Sequence, residues 1–126
     1  MDVAKQIEYW RASGRNDLEA AEDVIIKVKR EIHGLFYTHL SIEKILKAHV
    51  VKVTKDFPPK IHALASLLNR TDINLDVEQH KLLGKLMKFH LEGRYAEDFP
   101  KPIPNEEAIA IYKEAKQLFE WLEKKL

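Results

Sequence analysis

The sequence predicts an all-α protein, an antiparallel up-and-down bundle of four long helices plus one short helix. Three observations carry this. Apolar residues return at spacings of three and four along almost the whole chain, no stretch alternates as a half-buried strand does, and the breaks between periodic stretches are short. With 126 residues, the chain suits one domain, residues 1–126, that is large enough for a core.

Helix one is expected over about residues 2–30, where Val3, Ile7, Trp10, Gly14, Leu18, Ala21, Ile25 and Val28 form one stripe. The stripe keeps phase through Gly14, which favours one helix with a small residue at a close packing point over two helices. The opposing propensity cost is only about 1 kcal/mol. His33-Gly34 reads as the following turn. Helix two then runs over about 34–54 and ends at Asp56-Phe57-Pro58-Pro59, because proline disfavours a helical residue before it.

The short third helix is placed at Ile61 to Leu68, with His62 near its start. Helix four begins after Asp76, an N-cap with Gln79 three residues on, and is expected to end near Gly93. Residues 94–104 carry three alternate prolines, which favour a stiff extended loop. Asn105 is the expected cap of the last helix, where Glu106 and Glu107 suit the positive N-terminal end and Lys124 and Lys125 the negative end. Tyr112, Phe119 and Trp121, with Trp10, sit at core-like spacing.

Helix two departs from a plain amphipathic pattern. Leu35, Phe36, Leu40, Leu46, Val50 and Val53 fall on one broad arc, and His39, Glu43 and Lys47 project from the same arc. Removing an ion from water without a partner costs several kcal/mol, so these groups must pair, meet a ligand, or border a wet cleft. Glu43 and Lys47 suit an ordinary helical pair contributing about 0.3 to 0.5 kcal/mol at a surface, or Glu43 can orient Lys47 or Arg94 for a phosphate. Arg94 can equally cap the last carbonyls of helix four. Tyr95 reads as loop packing or as a surface for a base, and His62 as local packing or part of a site. Lys81, Lys85 and Lys88 read as a solvated helix face.

Composition excludes several classes. Twenty-one basic and twenty acidic residues give a net charge of +1, so no global field draws the chain to nucleic acid or anionic lipid. No apolar run nears the roughly 20 residues that cross a bilayer, and the start has no charged-then-apolar signal pattern, so a cytoplasmic location is expected. The absence of cysteine removes disulfides, thiolate catalysis and cysteine-ligated zinc. Six histidines include no His-Glu-x-x-His pair, so no metal site is expected. With four glycines and no phosphate loop, any nucleotide would be held by side chains.

Trp10 with Asp17-Leu18-Glu19-Ala20-Ala21, the run Tyr37 to Ala48 with its Glu-Lys-x-x-Lys-Ala core, Lys60-Ile61-His62-Ala63-Leu64, and Arg94-Tyr95 together resemble a HEPN domain (higher eukaryotes and prokaryotes nucleotide-binding) of the small prokaryotic type. The resemblance covers nearly the whole chain. It implies a helical bundle, often a homodimer, commonly paired with a minimal nucleotidyltransferase as its nucleotide- or substrate-binding partner or as the toxin of a toxin–antitoxin pair. Ribonuclease members carry an arginine followed after four to six residues by a histidine. Arg94 is followed there by Phe99, Pro100 and Lys101, none of which can replace imidazole as a base.

The expectation is therefore a non-catalytic HEPN protein with no catalytic residue of its own. Its ligand, a nucleotide such as ATP or AMP, would lie in a cleft between helices two, three and four, formed by Glu43, Lys47, His62, Arg94, Tyr95 and His39. Two alternatives stand beside it: a divergent ribonuclease toxin and a purely structural dimeric module.

Overall fold

All 126 residues are described in a computed structural model. The helices are α1 (Val3–Ile26), α2 (Glu31–Thr54), α3 (Leu64–Leu68), α4 (Val77–Met87) and α5 (Asn105–Lys124), with one 3-10 turn at Ala96–Asp98. The chain is an all-α bundle without strands. No helix is long and apolar enough to cross a membrane.

The α1–α2 link is short, which makes these helices antiparallel neighbours. It lies at residues 27–30 and not at His33-Gly34, which are inside the first turn of α2. Lys29 supplies the reversal with φ 59°, and the Arg30 N–H donates to the Val24 carbonyl at 3.0 Å. Gly34 serves a different purpose: a Cβ there would collide with the Ile25 side chain. Gly14 is a close packing point, as its stripe predicts, because a Cβ would lie 3.0 Å from the Phe119 ring and 3.1 Å from the Ser41 carbonyl.

α2 is the central helix and touches all four others. From Thr38 to Val51 it is buried on nearly every side, wider than the single arc expected, while Val53 at its end is exposed. The core joins Leu18 and Ile25 of α1, Ile42 and Leu46 of α2, Leu64 and Leu67 of α3, Leu86 of α4, and Phe119 and Leu122 of α5. Burial of such side chains contributes about 1.5 to 3 kcal/mol each. His49 ties α2 to α5 by donating through Nε2 to the Leu122 carbonyl at 2.8 Å.

Three further boundaries depart from the expected ones. α3 begins at Leu64 and not at Ile61, because Ala63 is still extended and serves as its N-cap. α4 starts with the capping box of Asp76 and Gln79 but ends at Met87; Phe89 and His90 then bond three residues back, to Leu86 and Met87. Pro104, not Asn105, occupies the N-cap of α5, and Asn105 Nδ2 donates instead to the Ile25 carbonyl at 2.9 Å, joining the start of α5 to the end of α1.

Candidate functional site

The charged groups of α2 meet a buried network. Glu43 is only 3% exposed and Lys47 6%, one helical turn apart. Lys47 Nζ donates to Glu43 Oε2 at 3.1 Å and sits over the Trp10 ring, 5.1 Å from its centroid. The other carboxylate oxygen, Oε1, is 3.0 Å from His62 Nδ1. A carboxylate only accepts, so His62 donates from Nδ1 and leaves Nε2, which lies 3.7 Å from Glu92. Glu43 thus bridges α2 to the extended segment ahead of α3.

Imidazole rings extend this network. His62 stacks on His90 with centroids 4.9 Å apart, His90 lies 5.0 Å from His39, and His39 stacks on Phe36. His39 is fully buried and neither of its ring nitrogens has a partner. Burial drives its pKa down to about 4, against the opposing pull of Glu43. His90 is also lowered, by burial and by the neighbouring His62. These two rings are therefore neutral near pH 7. No cavity opens on Glu43, Lys47, His39 or His62, and no three acidic or histidine side chains converge in a metal-holding geometry.

Arg94 and Tyr95 stand elsewhere. Arg94 donates from Nε to the His90 carbonyl at 2.7 Å, and its two terminal nitrogens donate to Met87 at 3.0 Å and Asp98 at 3.1 Å. It therefore closes the end of α4 and holds the 3-10 turn against it. Tyr95 is 73% exposed. The six expected residues thus divide: His39, Glu43, Lys47 and His62 come together, and Arg94 lines a separate cleft of about 500 Å³ between α4, the loop and α5.

Sequence reasoning passed over His90, whose spacing to the other histidines has no one-turn regularity. It also read Lys85 and Lys88 only as a solvated face, although both line the Arg94 cleft together with Lys101. Their spacing of three, just before the break at Gly93, was the available signal.

Compared with known families, the chain matches the HEPN domain over residues 7–125. In overall fold it is similar to TT1696 from Thermus thermophilus, a crystal structure, with a TM-score of 0.81 and 18% identity. That alignment covers 96% of this chain and 98% of the Thermus protein. A comparison with curated proteins finds no match.

Proposed function

We propose, from the premise that this chain belongs to the HEPN domain family, that it works as a homodimeric, non-catalytic binding partner of a minimal nucleotidyltransferase. In this reading it holds a nucleotide such as ATP or AMP and takes one side of a toxin–antitoxin-like pair.

The observation that carries the non-catalytic part is the engagement of Arg94. Its guanidinium is tied to three backbone carbonyls. Cleavage of RNA needs an arginine at the phosphorane and a base beside it. The imidazole nearest in sequence, His90, packs among His39 and His62, and burial lowers its affinity for a proton, which makes it a weaker base. Glu43, the buried carboxylate, has both oxygens committed to Lys47 and His62. With both oxygens taken, this carboxylate is not free to accept a proton from a substrate.

Titration calorimetry with ATP and AMP, co-purification with a co-expressed minimal nucleotidyltransferase, and incubation with RNA test the proposal together. Saturable nucleotide binding, a stable complex and intact RNA are expected. RNA degradation that disappears in Arg94→Ala would overturn the reading in favour of a ribonuclease toxin.

A further inference from the structure

The cleft beside Arg94 has about 500 Å³, within the range of sites that take small organic ligands. Its base is apolar: Phe89 and Ile111 are buried in the core and Ile103 is partly buried. Its rim is cationic. Lys85, Lys88, Arg94 and Lys101 face Asp98 and Glu107, an excess of two positive charges around one concavity in a chain whose total is only +1.

Three further features fit this cleft to an anion. None of Lys85, Lys88 and Lys101 is held in an ion pair, whereas Lys44 and Lys47 are each closed onto a carboxylate. Their ammonium donors remain available. Arg94 is fixed in place by its three carbonyl contacts, yet its guanidinium has five N–H groups and keeps its charge. A second cleft, about 330 Å³, is lined by Asp76, Glu78 and Glu114 and would repel an anion.

We infer that the α4–loop–α5 cleft is a binding site for a small polyphosphorylated molecule, with its phosphates on Lys85, Lys88 and Lys101 and its organic part over Phe89 and Ile111. Concavity over an apolar base selects a small molecule over a nucleic-acid strand, which tracks an extended basic groove. Fixed Arg94 gives the charge a rigid backstop, and the flexible lysines close on the phosphates from the rim. The inference rests on the nucleotide-binding reading only for the identity of the organic part.

The test is calorimetry on the full chain at low salt with tripolyphosphate, ATP, adenosine and a short single-stranded RNA. Variants are Lys85→Ala, Lys88→Ala, Lys101→Ala, His62→Ala and, as a control outside the cleft, Lys81→Ala. ATP and tripolyphosphate are expected to bind, each cleft lysine removed weakening both about fivefold, the loss for about 1 kcal/mol, with Lys81→Ala unchanged. Lysine-dependent binding of tripolyphosphate with no gain from adenosine supports the anion site while overturning the nucleotide reading. ATP binding that ignores the three lysines but is lost in His62→Ala overturns the site and keeps that reading. No binding of either phosphate overturns both, and RNA bound more tightly than ATP overturns the small-molecule assignment.

Discussion

His62 Nδ1 lies 3.0 Å from Glu43 Oε1 across a sequence separation of 19 residues. This contact joins the central helix to the extended segment ahead of α3. With the Lys47 ammonium on the other oxygen, it leaves the buried carboxylate paired on both sides.

Glu43→Gln should therefore destabilise the fold by about 3 kcal/mol, because it strands the Lys47 ammonium at a nearly closed position. Urea denaturation measures the loss. The double variant Glu43→Gln, Lys47→Met should recover part of it, since the unpaired charge is gone.

Acid should weaken the fold through His39. Its folded pKa, about 4, is below the ordinary 6.5, so the unfolded chain binds the proton more readily. The stability from keeping this ring neutral is complete above pH 6.5 and is lost as pH falls towards 4, by about 3 kcal/mol. His90 and His49, both lowered by burial, act in the same direction. Denaturation midpoints between pH 7 and 4 should show the slope, and His39→Leu should flatten it.

Two glycines should respond in opposite ways. Gly34→Ala forces a Cβ into Ile25 and should cost about 1 to 3 kcal/mol by opening the α1–α2 crossing. Gly84→Ala, inside α4 with no atom near the added carbon, should stabilise by about 0.5 to 1 kcal/mol. Thermal melts of the two variants decide the matter.

Arg94→Ala should loosen the loop without melting the bundle. Losing three exposed carbonyl contacts should cost about 1 kcal/mol and raise amide exchange across residues 94–104, with helicity preserved. Arg94→Lys should not restore protection, because a single ammonium cannot span carbonyls that a planar fork reaches together.

Helix existence was legible wherever a periodic stripe met a local signal. The Asp76–Gln79 capping box and the proline stop after α2 depend on neighbours a few residues apart, and both stand where they were expected. The α1–α2 turn was misplaced because glycine has two uses, reversal and close approach. Only the position of Ile25 distinguishes them at Gly34. α4 stops short of Gly93 because Phe89 and His90 bond three residues back, and Arg94, one of the caps the sequence offered, takes the Met87 carbonyl that closes the helix.

The sequence by itself determined the all-α class, the order of the helices and the place of His39, Glu43 and Lys47 on the apolar arc of α2, because helical periodicity is a local rule; their burial was decided by packing. Tertiary structure decided which groups meet. It brought His62 and His90 to the α2 network and drew Arg94 away to the cleft with Lys85, Lys88 and Lys101. Those partners come from segments far apart in the chain, and their meeting depends on how helices pack, which no spacing along one helix encodes.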